Sequence, residues 1–219
     1  VEATNQHMQR LAHLLEHQKR FVRDTSHQLR TPLAVLKTQV QSARRGDVPP
    51  LQALDEIGHT VDRATELANQ MLALAKVEQL RQDRDVPVTD WAEVVRAVAL
   101  DLAPLIADRG LDFSLEAVPA PVRAHAWALR ELTRNLLHNA IKHTPPGAAL
   151  TLRLITDTGA ATLTVRDSGP GIPGELRERL FQPFATDHRA APSSAGSGLG
   201  LAICREIVQS LGGRIELNN

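Results

Sequence analysis

A chain of 219 residues has room for one large domain or two small ones. Hydrophobic residues make up 42% of it but aromatics only 3%, and Tyr is absent, so its cores must be built from Leu, Val, Ile and Ala. Lys plus Arg number 25 and Asp plus Glu number 25, and this balance argues against a nucleic-acid partner or capture by an anionic membrane through a global basic field.

The single cysteine, Cys204, cannot close an internal disulfide and suits a reducing compartment. Its expected role is that of a small apolar filler. There is no run of about 18 apolar residues and no signal-peptide pattern, so this chain is not expected to insert into a membrane. It opens in mid-helical pattern without a start Met and stops at Arg214-Ile215-Glu216-Leu217, which reads as the beginning of a strand. The expectation is a fragment of a longer protein, truncated at its C-terminus.

Residues from about 2 to 43 read as one long helix. Met8, Leu15, Val22, Leu29 and Leu36 recur every seven residues, with Leu33 and Val40 four places on from the last two. Such a repeat is the seam of a helix packed on other helices. His27 lies two residues before Leu29, about 200° round the helix at roughly 100° per residue, so the imidazole points away from the seam. Asp24 and Thr31 share its face. Pro32 follows, lacking an N–H and opposing the carbonyl of Gln28, so a kink or loosened turn is expected beyond the histidine.

Arg45-Gly46-Asp47-Val48-Pro49-Pro50 is the turn. A second helix follows over about 51–83, with Leu54, Ile57, Val61, Ala64, Ala68, Met71 and Ala75 as its core side. Two antiparallel helices leave an apolar face that one hairpin cannot cover. Pairing two hairpins into a four-helix bundle covers it, which predicts a homodimer. Residues 1–83 form this helical domain, 84–88 the linker with Pro87 blocking a helix, and 89–219 a second domain.

There the elements mix. A helix over 90–108 is capped by Thr89 or Asp90 and ends near Gly110. Strands follow at 111–116 and 121–124, then a helix over 127–143. Strands 149–156 and 161–167 are joined by Asp157-Thr158-Gly159, a hairpin signal. A short helix over 174–180, a Ser/Ala/Gly-rich loop over 185–198 and a helix over 199–211 complete the chain. The expected fold is an α/β two-layer sandwich with an antiparallel-leaning sheet.

Four stretches of this second half converge on one chemistry. On the helix 127–143, Asn135 and Asn139 stand four apart and face one way. Their amide oxygens can hold Mg²⁺, which keeps waters and shares phosphate oxygens with a nucleotide, and Lys142 adds a positive charge. Asp167-Ser168-Gly169-Pro170-Gly171-Ile172 puts a carboxylate at a strand end, able to accept from an exocyclic amine such as adenine's, beside glycines that admit close backbone approach. Phe181-Gln182-Pro183-Phe184 reads as packing that anchors the next loop. Gly196-Ser197-Gly198-Leu199-Gly200-Leu201 opens a helix whose amides and dipole suit phosphate. Singly each stretch has an ordinary structural explanation; jointly they specify a nucleotide site. The Walker pattern GxxxxGK[ST] is absent.

The string SHQLRTPL strongly resembles the phospho-acceptor box of bacterial two-component sensor histidine kinases, with His27 aligned to the phosphorylated histidine. The second half resembles, in order and spacing, the N, G1, F and G2 boxes of the GHKL ATP-binding fold. This implies ATP and Mg²⁺ as cofactors. Asn139 is then the metal ligand, with Asn135 and Lys142 at the metal–phosphate group and Asp167 reading adenine. His143, Gly169, Gly171, Ile172, Phe184, Gly196, Gly198, Leu199, Gly200 and Leu201 complete the cradle, and 185–198 is the lid. The resemblance also implies a homodimer, a response-regulator receiver domain as partner, and the cytoplasmic portion of a sensor anchored in the inner membrane.

Three departures matter. The ATPase members of the fold carry a water-activating Glu where this chain has Asn135, an amide that cannot take a proton, so transfer to His27 is favoured over hydrolysis. The residue after the histidine is usually Glu in the kinases and here is Gln28, which can accept a hydrogen bond but cannot act as a base; Asp24 is the candidate stand-in. Thr186 stands where many kinases have a lid arginine, and Arg189 is the candidate substitute. Gln28 and Thr31 can also orient water for dephosphorylation of a phosphorylated regulator. Competing readings are a non-catalytic dimeric scaffold with a degenerate nucleotide domain, and a GHKL ATPase or chaperone.

Overall fold

The computed structural model describes residues 23, 26–80, 85–177, 179–185 and 197–218. The chain packs as two compact units that divide between Met71 and Leu72.

In the first unit, α1 is continuous over 26–45 and runs through Pro32 without a break in its helical assignment. Gly46, at φ +76°, reverses the chain, and Arg45 Nε donates to the Asp47 carboxylate at 2.9 Å. α2 then spans Pro50–Leu80. A polar step fixes the two helices against each other: Thr60 Oγ1 donates to Gln39 Oε1 at 3.1 Å and Gln39 Nε2 donates to the Glu56 carbonyl at 3.4 Å. Ala53, Leu67 and Met71 are buried, and Leu29 and Leu36 are half-buried. Ile57, Ala64 and Ala68 are also half-buried, but part of the predicted apolar face lies open: Leu33 is 60% exposed and Leu54 64%, with Val40 and Val61 also exposed. The core of α2 is thus narrower than its periodicity predicts, because a single hairpin supplies only one covered seam.

The second unit is built on a mixed sheet in the order β2-β4-β5, formed by Asp112–Ala117, Ala149–Asp157 and Ala160–Asp167. β2 runs parallel to β4 and β5 antiparallel to it. The β4–β5 connection is a hairpin as predicted, tightened to two residues because both strands run one residue further, with Thr158 at φ +45° and Gly159 at φ +85°. Leu150, Leu152 and Leu154 alternate along β4 and are wholly buried. The helices α3 (Trp91–Asp108), α4 (Ala126–His143) and α6 (Gly200–Ser210) supply the other layer, with α4 in the middle touching both neighbours. At its centre Trp91 Nε1 donates to Thr133 Oγ1 at 3.0 Å, and that hydroxyl donates to the Leu129 carbonyl at 2.7 Å. Both polar groups are thereby satisfied inside the core.

Asp90 caps α3, accepting from the Ala92 N–H at 3.0 Å, and also accepts from the Ala120 N–H at 2.8 Å. These two backbone donors hold its carboxyl below the usual aspartate range. Val88, assigned to the linker on sequence, instead opens a short strand, β1 (Val88–Asp90), antiparallel to β3 (Pro121–Arg123). Two further expectations are corrected. The short helix α5 covers only Gly174–Arg177, with turns beyond it. Residues 214–217 form no strand: a strand exists through its ladder, and among the described residues none pairs with them.

Candidate functional site: a nucleotide cradle and a histidine-bearing helix

The C-terminal half of α4 is the floor of the cradle. Leu137 and Ile141 are buried and fix the helix's rotation, which leaves Asn139 exposed and Asn135 and Lys142 half-buried on the other side. Asn135 Nδ2 donates to the Glu131 carbonyl and to Glu131 Oε1, both at 3.0 Å. The end of α4 is tied down by one guanidinium nitrogen: Arg109 Nη1 donates to the carbonyls of Ile141, Lys142 and Thr144 at 3.1, 3.0 and 3.3 Å. These are the carbonyls a helix end leaves without intrahelical partners, and a cation there also complements the helix dipole.

The strand-end motif closes on this same helix end. Asp167 Oδ1 accepts from the Gly169 N–H at 2.8 Å. A Cβ at Gly169 would sit 2.5 Å from Asp167 Oδ1 and 2.9 Å from the His143 carbonyl oxygen, so only glycine lets the loop lie against α4. His143 feels this crowding. Partial desolvation of its ring and the Lys142 ammonium lower its pKa, while the Asp167 carboxylate pulls the other way.

The last two motifs dock on one another and on α4. Gly198, at φ +70°, packs so closely that a Cβ would lie 2.7–2.8 Å from backbone atoms of Phe184 and Ala185. Phe184, itself at φ +64°, donates its N–H to the Gly198 carbonyl at 3.0 Å. Ser197 Oγ accepts from the Leu199 N–H at 3.2 Å, and Leu199 is wholly buried. A Cβ at Gly200 would be 3.0 Å from Asn135 Oδ1, so the start of α6 lies directly beside that amide. Gly171 takes φ +74°, and Ile172 and Leu201 are half-buried. Gly196, Thr186 and Arg189 lie outside the described residues, as does most of the 185–198 loop.

In the first unit His27, Gln28 and Thr31 are all exposed on α1, and Thr31 Oγ1 donates to the His27 carbonyl at 3.4 Å. Asp24 lies outside the described residues. Two contributors escaped the sequence reading. Glu131 could have been found, since it stands four residues before Asn135 on the same helical face. Arg109 could not, since it meets α4 only through the fold. Among the described residues no group of three or more His, Cys, Asp or Glu is placed to hold a metal.

This architecture defines a class: a histidine-bearing helical hairpin followed by an α/β domain in which a glycine-opened helix packs beside the asparagine-bearing α4. Comparison with known proteins gives the family. The model for "His Kinase A (phospho-acceptor) domain" matches residues 17–80, and that for "Histidine kinase-, DNA gyrase B-, and HSP90-like ATPase" matches residues 124–219. Sensor protein QseC of Salmonella typhi is 33% identical over 228 residues, covering 100% of this chain and 49% of the relative. The solved mycobacterial sensor histidine kinase MprB superposes with TM-score 0.50 at 34% identity, covering 58% of this chain and 81% of that one. Acinetobacter baumannii histidine kinase AdeS shares the fold with TM-score 0.69 at 24% identity, over 84% of this chain and 86% of that one. The chain belongs to the two-component sensor histidine kinases, of which it is a catalytic core. It spans about half the length of the curated relatives it matches.

Proposed function

We propose that the chain autophosphorylates on His27 at the expense of ATP and passes the phosphoryl group to an aspartate of a response regulator. The observation that carries this is the exposed imidazole of His27, inside the stretch matched by the phospho-acceptor family, in one chain with the nucleotide cradle. Neither a scaffold with a degenerate nucleotide domain nor an ATPase is favoured, since motifs described on all four sides of the cradle meet and Asn135 offers no base.

His27 attacks the γ-phosphorus through a ring nitrogen, and the bond to the ADP oxygen breaks. Positioning and charge stabilisation carry most of such a transfer. Asp167 reads the adenine amine, its carboxylate fixed by the Gly169 N–H. Lys142 and the amides at the start of α6 hold the phosphates, Asn135 contacts the metal–phosphate group through its Oδ1, and His143, Gly171, Ile172, Phe184 and Leu201 line the remainder. The exposed Asn139 fits Mg²⁺ through its amide oxygen, because this ion keeps several waters, shares phosphate oxygens and so needs few protein ligands. When bound it would offset charge on the phosphates. Gln28 accepts from the distal ring N–H and fixes the tautomer without serving as a base, and Asp24 takes that part. Gln28 and Thr31 also position water for dephosphorylating the regulator.

Residues 1–83 are the dimerisation and phospho-acceptor domain, 84–87 the linker and 88–219, with Val88 now included, the ATP-binding domain. The open apolar residues Leu33, Val40, Leu54 and Val61 support a homodimer formed by pairing hairpins into a four-helix bundle. One histidine kinase of this fold is solved with a response regulator bound, which supports a receiver domain as partner. No described helix is long and apolar enough to cross a membrane. The proposed setting is the cytoplasmic portion of an inner-membrane-anchored sensor. Labelling with γ-phosphate-tagged ATP, beside His27→Ala, tests the assignment. Acid-labile, base-stable label on wild type alone is expected. Release of free phosphate without labelled protein would mean an ATPase, and neither product would mean a scaffold.

A further inference from the structure

Asn135 has its amide orientation dictated by what surrounds it. Its Nδ2 faces the Glu131 carbonyl and Glu131 Oε1, each 3.0 Å away. Both of these atoms can only accept, so the edge facing them must be the NH₂ group. The oxygen is thereby turned the other way, to the start of α6, where the space above Gly200 lies 3.0 Å from Asn135 Oδ1. An amide rotated by 180° would put oxygen against oxygen on the Glu131 side and hydrogens where an oxygen donor is wanted.

We infer that Glu131 is a positioning residue for the nucleotide site: its carboxylate locks the amide of Asn135 with Oδ1 presented toward the metal–phosphate group. This inference rests on the nucleotide site proposed above. It also explains how a carboxylate one turn from the site is kept from activating water, since its Oε1 is engaged by Asn135 and directed along the helix. The Glu131 carbonyl remains in any variant and anchors Nδ2 partly, so loss of the side chain should weaken the site without abolishing it. The Glu131→Gln variant keeps an acceptor oxygen that Glu131→Ala lacks, which gives the series a conservative member.

The test is calorimetric titration of the 219-residue chain with ATP, with and without Mg²⁺, for wild type, Glu131→Ala, Glu131→Gln, Asn135→Ala and the double variant Glu131→Ala with Asn135→Ala, each with its melting curve. Partners that orient a metal-site ligand typically matter by about 10–100-fold, and with the carbonyl retained the lower end applies. Glu131→Ala should weaken Mg·ATP binding about tenfold, Glu131→Gln should restore most of it, and Glu131→Ala should have no further effect once Asn135 is replaced by Ala. A penalty that persists in the double variant, or that appears equally without Mg²⁺, overturns the positioning role in favour of a merely structural one. Wild-type affinity in Glu131→Ala alongside a loss in Asn135→Ala overturns this inference alone. Unchanged binding in Asn135→Ala, or none in wild type, overturns the nucleotide-site reading itself.

Discussion

Gly198→Ala should separate the docking of the cradle from ordinary backbone strain. Gly198 and Gly212 share φ +70°, but a Cβ at Gly212 meets nothing within 4 Å, whereas at Gly198 it meets three backbone atoms at 2.7–2.8 Å. Placing Ala in the left-handed region costs about 1–2 kcal/mol at either site. At Gly198 the new methyl sits about 0.7 Å or more inside the separation at which carbon atoms ordinarily touch, about 3.5 Å. No flexible side-chain end is available to yield, so a further cost of about 1–3 kcal/mol is expected. At about 3 °C per kcal/mol, Gly212→Ala should lower the melting temperature by about 3–6 °C and Gly198→Ala by about 6–15 °C. Both tryptophans, Trp91 and Trp127, lie in the second unit, so their fluorescence reports its unfolding alone. If the strain is relieved by local release of Phe184, the melting points converge but ATP affinity falls only in Gly198→Ala. Identical melting and identical ATP affinity in the two variants would refute the docking argument.

Other outcomes follow from the same structure. Gln28→Glu should raise the autophosphorylation rate by adding a base beside Asp24, with a gain short of the about 10²–10⁴-fold that a general base typically contributes where none is present; a rate unchanged or lower in single-turnover labelling would remove Gln28 from the account. Thr31→Ala should slow dephosphorylation of a phosphorylated regulator while leaving His27 labelling intact, measured as decay of label on the regulator. Thr133→Val leaves the buried Trp91 N–H without its acceptor, and chemical denaturation should show a loss of about 1–3 kcal/mol. The lowered pKa of His143 means that folding favours its neutral form, so its contribution is complete above the ordinary histidine pKa and is lost as pH falls through the lowered one. Melting temperature should therefore drop between neutral and mildly acidic pH by more in wild type than in His143→Gln.

Local chemistry was legible without coordinates. The Gly/Pro turn at 45–50, the hairpin at 157–159 and the helix start at Thr89 or Asp90 each act within a few residues, so turn and capping residues placed these elements. The four nucleotide motifs were legible as motifs for the same reason. Long-range pairing was not. That β2 lies parallel to β4, that Val88 belongs to a strand and that residues 214–217 do not depend on partners 30 or more residues away, whose register no local pattern encodes.

By itself, then, the sequence singled out the residues proposed to carry chemistry: an imidazole expected to turn off an apolar seam, two amides four apart, a carboxylate at a strand end, and glycines where side chains would obstruct. Only the tertiary structure decided how they act on one another. The orientation of the Asn135 amide depends on its packing between Glu131 and the start of α6, and the end of α4 is held by Arg109, the residue that caps α3. Residue types can supply donors and acceptors, but a rotamer is chosen by whatever lies within about 3 Å of it, and in this cradle Glu131 is a neighbour along the helix whereas the start of α6 and Arg109 arrive only through the fold.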